Sequence, residues 1–468
     1  MSSGKDSFKS EERLQNRMKK RFFDVIVIGA GSGLEISSYA AEKGLSVALI
    51  EPGPFGGTCL NRGCIPSKML IHAADVAQTI KTSAKFGVKS KFIGVDWKKL
   101  VGRISKIIDA DAKQIESGNK QTKDITIFNG YAQFLDKKTV IVGSEMLEGK
   151  KIFICAGARP LIPAIPGLKG VSYITSDEAL RLPKQPKHLI IIGGGYIGAE
   201  LAHFFGSLGT KVTIIQRGDL LMNNEDKEVA EKFTEIYRRR FNVLLNTDIV
   251  KVRKSGKNIS VDVKSGNKKK TVTGDALLVA TGRVPNSDLL NVKAAGIATN
   301  ERGFIKVDKF MRTNVPNVYA IGDIAGVFMF KHSANLEAQY AIENAFGEPL
   351  AVDYKAMPHA AFSDPQVGSV GLTEEQLVAQ KRKFVKNIYE YKNTGYGAAI
   401  QEEDGFVKVL ADPKSGEILG CHILGPHASI LIHEVIVAMK AGLGVEGIKK
   451  SIHVHPALSE VVQRAFWF

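Results

Sequence analysis

One pattern, present twice, constrains this chain more than any other. Asp24-Val25-Ile26-Val27-Ile28 is a short apolar run rich in β-branched residues that runs straight into Gly29-Ala30-Gly31-Ser32-Gly33-Leu34. Glu35 to Lys43 then has helical composition, and Ser46-Val47-Ala48-Leu49-Ile50 is a second apolar run that ends in Glu51. Strand, glycine turn, helix, strand and acid is the order of a dinucleotide-binding unit. The glycines let the backbone approach a pyrophosphate at a helix N-terminus, and the carboxylate can accept hydrogen bonds from a ribose. Leu34 departs from the fingerprint, because it stands where the third glycine is expected. The pattern returns at His188 to Ile192, which leads into Gly193-Gly194-Gly195-Tyr196-Ile197-Gly198 with all three glycines, a helix through Leu208 and a strand Lys211 to Ile215. Two such units predict an α/β chain with two Rossmann-like domains and two nucleotide cofactors.

A second echo marks where each unit closes. Ile152-Phe153-Ile154-Cys155-Ala156-Gly157-Ala158-Arg159-Pro160 is repeated by Leu277-Leu278-Val279-Ala280-Thr281-Gly282-Arg283-Val284-Pro285. From about residue 351 the texture changes to alternating strands such as Phe406 to Leu410, followed by the apolar helix Ala428 to Ala441. A length of 468 residues suits two to four domains. The expected division is a basic tail at 1–21, a first nucleotide domain at 22–158 completed by 283–350, a second inserted at 159–282, and an α+β interface domain at 351–468.

Charge and hydropathy narrow the partners. The formal charge of +16 raises nucleic acid as a partner, but no helix-turn-helix, RNA-binding or zinc pattern accompanies it. Much of the excess lies in the tail and in Lys251 to Lys270, which reads as a solvated hairpin. No apolar run reaches membrane-spanning length, and Met1 to Arg21 has no hydrophobic segment of the kind an export signal carries. The expectation is a cytoplasmic protein with no nucleic-acid and no membrane partner.

Two of the four cysteines fall in Gly56-Gly57-Thr58-Cys59-Leu60-Asn61-Arg62-Gly63-Cys64-Ile65-Pro66-Ser67-Lys68. In an unbroken helix their Cα atoms would be about 8–9 Å apart, whereas a disulfide needs about 5–6 Å. Gly57 and Gly63 can relax the backbone and Pro66 can sit in a first helical turn, so Cys59 and Cys64 can pair and unpair. A structural disulfide gains little from so short a loop. A metal would need further ligands that the neighbourhood does not offer, and no metal site is expected. A reactive dithiol fits best. Cys155 and Cys421 sit in apolar strands, where buried inert thiols are the default.

This segment resembles the redox-active stretch of the flavoprotein disulfide reductases, the family of lipoamide dehydrogenase and glutathione reductase. The resemblance covers nearly everything after the tail. It implies FAD on the first nucleotide unit, with Gly29, Gly31, Gly33, Glu51, Gly57 and Thr58 in its cradle, and NAD or NADP on the second, with Gly193, Gly195, Tyr196, Gly198 and Gly282. Thr313 to Asp323 resembles the family's second flavin segment, so Gly322 and Asp323 join the FAD set. By the same resemblance Cys59 is the interchange thiol, Cys64 lies against the flavin, Lys68 stands near the flavin ring and Glu200 pairs with Lys68. Tyr196 matches a residue that covers the flavin in some relatives.

Near the C-terminus, Pro456 can open a helix that leaves His455 just outside it and Glu460 within reach to orient the imidazole. A carboxylate-oriented histidine holds the proton that thiol chemistry releases. This stretch also matches the family's terminal motif, which makes His455 and Glu460 catalytic candidates, with His453 a spare histidine. The C-terminal part resembles the family's dimerisation domain and implies a homodimer whose active sites are shared between subunits.

The strand after the second glycine loop ends Ile215-Gln216-Arg217-Gly218 without the acid that would accept from a 2′-hydroxyl, which tilts Gln216 and Arg217 toward NADP. The expected activity is electron transfer between NAD(P)(H) and a dithiol or disulfide. A dihydrolipoyl dehydrogenase acting on a small or lipoyl-bound dithiol is favoured, with a 2-oxoacid dehydrogenase complex as a candidate partner. The alternative is an NADPH-linked reductase of a small disulfide similar to mycothione reductase, which Gln216, Arg217 and the segment Lys331 to Ala338 resemble. A non-enzymatic flavin-bearing scaffold is the remote alternative, and the complete set of catalytic candidates speaks against it.

Overall fold

The computed structural model describes residues 20–468. The expected tail therefore lies outside the described residues, apart from Lys20 and Arg21. Those two are not tail: they begin the strand Lys20–Ile28, where their backbone pairs with Met146 and Leu147 and Lys20 ion-pairs with Glu148. The described residues divide into two compact units, 20–65 with 106–159 and 283–353, and 66–105 with 160–282 and 354–468.

The first unit is built on a mostly parallel sheet. Its strands run Ile125–Phe128, Val47–Ile50, Lys20–Ile28 and Glu145–Ile154, with Val318–Ala320 parallel to the last and an antiparallel extension through Thr139–Val142 and Ala132–Phe134. Val25 lies opposite Val47, and Ile28 opposite both Ile50 and Ile154. Val25 to Ile28, Val47 to Ile50 and Ile152 to Ile154 are apolar and buried at every position, because both faces of the sheet are covered there. The glycine loop follows Ile28 directly and feeds the helix Gly33–Glu42.

The second unit repeats this arrangement. Asn242–Leu244, Lys211–Ile215, His188–Ile192 and Ala276–Val279 form a parallel sheet, and Gly195 caps the helix Tyr196–Ser207. The basic segment forms a three-stranded antiparallel meander, Asp248–Ser255, Asn258–Ser265 and Lys268–Gly274, one strand more than a hairpin. A five-stranded antiparallel sheet completes the unit: Pro358–Ala361, Val367–Gly371, Ile418–Leu424, Phe406–Ala411 and Val385–Glu390, with helix Ala428–Ala441 packed in its core. Residues 66–105 belong here through Trp97, whose ring lies 5.4 and 5.5 Å from those of Phe204 and Phe205, and through Asp75, 2.8 Å from buried His203.

The two echoes noted in the sequence have one physical cause. A Cβ on Gly29 would stand 2.4 Å from the Cys155 carbonyl oxygen, and one on Gly193 would stand 2.3 Å from that of Ala280. Each closing strand thus passes directly against the first glycine of its loop. The third glycine differs between the units. A Cβ on Gly198 would meet the Gly193 carbonyl at 2.2 Å, whereas in the first unit the close approach belongs to Gly33, 2.8 Å from Val27 Cγ1 and 3.2 Å from Cys155 Sγ. Leu34 is tolerated because helix–strand packing has moved one residue earlier.

Candidate active site

The dithiol segment breaks where the spacing required it to break. Helix Gly57–Arg62 ends at Gly63, and a second helix, Cys64–Thr82, carries Pro66 in its first turn. A Cβ on Gly63 would lie 2.8 Å from the Thr58 carbonyl oxygen, so the bend depends on the missing side chain. Cys59 and Cys64 are unlinked thiols, Cys59 half-buried and Cys64 exposed. Their hydrogen bond raises the Cys59 pKa, burial adds to the rise, and the charge of Lys331 opposes it. Asn61 is a residue the sequence reading passed over. Its buried amide donates to the carbonyls of Pro54, Phe55 and Gly57 at 3.2, 2.8 and 3.0 Å, and so ties the incoming turn to the dithiol helix.

The rest of the first unit's candidates converge on its glycine loop. Glu51 accepts from the N–H of Ala30 at 2.7 Å and of Gly53 at 3.0 Å, and burial pushes its carboxyl pKa up. A Cβ on Gly57 would lie 2.8 Å from the Gly31 Cα, so the dithiol helix starts against the loop, while Gly31 itself faces near-open space. Asp323 stands 3.3 Å from Arg283, and burial raises its pKa against that charge. The neighbouring Gly322 donates its N–H to fully buried Glu337. A glycine cradle that side chains would fill, bordered by two carboxylates, suits the pyrophosphate and hydroxyls of FAD.

The second unit holds the other candidates. Lys68 Nζ donates to both oxygens of Glu200 at 2.9 Å, and Glu200 also accepts from the Phe362 N–H at 2.9 Å. Gly195 opens into free space, as a nucleotide loop requires. Gln216 serves the loop itself: its oxygen accepts from the Gly194 N–H at 3.1 Å and its nitrogen donates to the Leu220 carbonyl at 3.1 Å. Arg217 beside it is exposed, and Gly282 has a positive φ with no crowding at its Cα. The Tyr196 hydroxyl donates to Glu225, a wholly buried carboxylate that also receives Ser369 Oγ at 2.7 Å and His359 Nε2 at 3.1 Å. Nothing in the local sequence singles out Glu225, whose partners are far away along the chain.

His455 Nδ1 lies 3.0 Å from Glu460 Oε1, and the other carboxylate oxygen accepts from the Ala457 N–H at 3.2 Å. The hydrogen bond from His455 holds the Glu460 pKa below the ordinary carboxylate range. The helix opens at Ser459 rather than Pro456, so Glu460 is in its first turn and His455 precedes it by a short turn. His453 is engaged separately, 2.9 Å from Glu434. The structure thus brings together Cys59 with Cys64, Lys68 with Glu200, and His455 with Glu460. The cysteines belong to the first unit and the other two pairs to the second.

Residues 23–340 match the family described as pyridine nucleotide-disulphide oxidoreductase, and residues 357–466 match its dimerisation domain. The chain is 36% identical over 458 residues to a mycothione reductase of Mycobacterium tuberculosis, covering 95% of this chain and 98% of that protein. It is 34% identical over 456 residues to a dihydrolipoyl dehydrogenase of Bacillus subtilis, covering 94% and 95%. The solved structure of the HOCl-induced flavoprotein disulfide reductase RclA from Escherichia coli superposes with a TM-score of 0.85 at 29% identity, over 95% of this chain and 99% of that one. Among the described residues, no helix is long and apolar enough to cross a membrane.

Proposed function

Because the chain belongs to the pyridine nucleotide-disulphide oxidoreductases, FAD-dependent enzymes that use NAD(P)H, we propose that Cys59 and Cys64 exchange two electrons with a dithiol or disulfide substrate. The carrying observation is the pair of hydrogen-bonded thiols on either side of a glycine-enforced helix break. In the reducing direction the Cys59 thiolate attacks a substrate sulfur and forms a mixed disulfide. The released substrate thiolate takes a proton from His455, which Glu460 orients through Nδ1. Cys64 then attacks Cys59, closes the internal disulfide and releases the second substrate thiol. When bound, FAD would supply the two-electron relay between the nicotinamide nucleotide and the Cys59–Cys64 pair, and in this direction the electrons that re-reduce the disulfide come from NAD(P)H. Gly29, Gly31, Gly33, Glu51, Gly57, Thr58, Gly322 and Asp323 would hold FAD. Gly193, Gly195, Tyr196, Gly198, Arg217 and Gly282 would hold the nicotinamide nucleotide, with Gln216 bracing that loop. Glu200 fixes the ammonium of Lys68.

The domain division that goes with this reading is 22–158 and 283–350 for FAD, 159–282 for NAD(P) and 351–468 for the interface. The matched dimerisation domain supports a homodimer. Exposed Ile430, Val437, Ile452 and Val454 in that region agree with a surface that another chain covers. We place His455 in the site of the partner subunit, and the protein in the cytoplasm, where nicotinamide nucleotides are available.

Dihydrolipoamide is the first substrate proposed, free or carried by a 2-oxoacid dehydrogenase complex, because the dithiol segment and the His455–Glu460 motif fit that chemistry. A small disulfide reduced with NADPH is the second reading, favoured by the absence of an acid after Ile215 and by exposed Arg217. Steady-state rates with dihydrolipoamide and NAD, set against mycothione, glutathione and related disulfides with NADPH, test the two. Dominant NADPH-linked turnover of a small disulfide overturns the first reading, and turnover of neither class overturns both.

A further inference from the structure

Lys331 opens the helix Lys331–Phe346, where the positive end of the helix dipole disfavours a cation, and the first turn supplies no acid to offset it. Its half-buried ammonium donates to Ser32 Oγ at 2.8 Å. Ser32 in turn donates to Asn335 Oδ1 at 2.9 Å, one turn further along the same helix. Among the described residues no carboxylate pairs with that ammonium. Glu35 feels it at longer range: burial raises the Glu35 pKa and the Lys331 charge opposes the rise. Ser32 lies between Gly31 and Gly33, on the loop where a dinucleotide pyrophosphate sits. A partly buried cation against a helix dipole, with two of its three donors left over, is a cost to the bare protein that an anion at this loop would relieve.

We propose that Lys331 is a cofactor-anchoring residue whose ammonium, steered by Ser32 and Asn335, neutralises the pyrophosphate of FAD at the first glycine loop. The assignment rests on the FAD-dependent reading of that loop and adds a side chain from 299 residues away. The competing role for the same charge is partner to the Cys59 thiolate, since the dithiol helix starts against Gly31. Bonding distance separates the two: the contact is made to the loop serine, and the Cys59 pKa remains raised despite the charge.

The test uses the flavin-bound protein and its Lys331→Met, Lys331→Gln and Lys331→Arg variants. Flavin release is followed by the rise in fluorescence at several KCl concentrations, and alkylation of the reduced dithiol by iodoacetamide is followed against pH. Loss of a charge-assisted contact predicts release about ten- to a hundredfold faster in Lys331→Met and Lys331→Gln. Lys331→Arg should stay near the parent, release in the uncharged variants should depend less on salt, and the alkylation profile should not move. Parent-like release from flavin-bound Lys331→Met or Lys331→Gln overturns the assignment, as does a shifted alkylation profile with release unchanged. A parent protein that carries no flavin and takes up none overturns the FAD reading instead. If Lys331→Met does not fold, the comparison of Lys331→Gln with Lys331→Arg decides alone.

Discussion

Replacing Glu200 with glutamine asks how firmly the cation at Lys68 is held and what that is worth to turnover. The Glu200 carboxylate receives Lys68 Nζ on both oxygens at 2.9 Å and the Phe362 N–H at 2.9 Å. Glutamine keeps an oxygen for the Phe362 amide, so the backbone contact survives and the negative charge facing Lys68 is what disappears. A hydrogen bond to a charged group contributes about 1.5–3 kcal/mol. The Lys68 side chain is 33% exposed and that of Glu200 11%, so water screens part of the pair and the loss should be about 1–2 kcal/mol. If Lys68 must stay fixed for electron transfer, kcat/KM for the dithiol substrate falls roughly five- to thirtyfold. Steady-state kinetics on Glu200→Gln, Lys68→Met and the double variant measure this. Glu200 acts through Lys68, so once Lys68 is gone the second substitution should add little, a coupling of about 1 kcal/mol or more. Effects that add to within about 0.5 kcal/mol would refute the reasoning, and so would a Glu200→Gln enzyme with parent kinetics.

The remaining predictions concern the thiols, the nucleotide, the shared site and the buried charges. Cys64→Ser should accumulate a mixed disulfide between Cys59 and substrate, detectable by mass spectrometry, whereas Cys59→Ser should not; the reverse outcome exchanges the roles of the two cysteines. Gln216→Glu with Arg217→Ala should move the NADPH-to-NADH specificity ratio toward NADH by about ten- to a hundredfold; an unchanged ratio places recognition of the 2′ group elsewhere. Cys59→Ser and His455→Ala homodimers should each be severely impaired, and co-refolding them with FAD should restore activity to one site per heterodimer. Verified heterodimers without recovered activity would count against the shared site. Lys408→Met should cost about 3–5 kcal/mol of stability near neutral pH, because Lys408 and Asp226 are both wholly buried 2.8 Å apart. Burial works to raise the Asp226 pKa, but the His422 charge and the Lys408 bond outweigh it and hold the pKa down. The stability this gives the parent is complete above the unfolded carboxylate value of about 3.9 and is lost as pH falls through the lower folded value. The deficit of Lys408→Met should therefore shrink in acid, and a deficit of constant size in urea midpoints across pH would contradict the pairing.

What the chain reveals on reading is what depends on neighbours in sequence. The β-branched runs at Val25–Ile28 and Leu189–Ile192, the glycines that follow them and the helices after those are local patterns, and each appears where its pattern stands. The break between Cys59 and Cys64 is equally local, since it follows from a helix geometry that a glycine can interrupt. The pairing of Lys68 with Glu200, and the role proposed for Asp323, were legible only through resemblance to a family, because nothing near those residues specifies a partner. Pro456 shows the limit of local inference: it permits a helix start, yet the helix begins at Ser459, where Glu460 can reach both His455 and the Ala457 N–H.

Only the tertiary structure decided which distant side chains meet. Lys331 and Ser32 are 299 residues apart, Lys68 and Glu200 132, and Glu225 reaches back 29 residues to Tyr196 and forward 134 to His359. Such pairs depend on sheet order and on where an inserted unit returns the chain, and sequence separation carries no information about either. Packing also reassigned the third glycine. The fingerprint counts positions along the chain and so expects a glycine at 34, but a helix packs on a strand through whichever Cα lies nearest. In the first unit that is Gly33, 2.8 Å from Val27, and only the folded chain brings the two together.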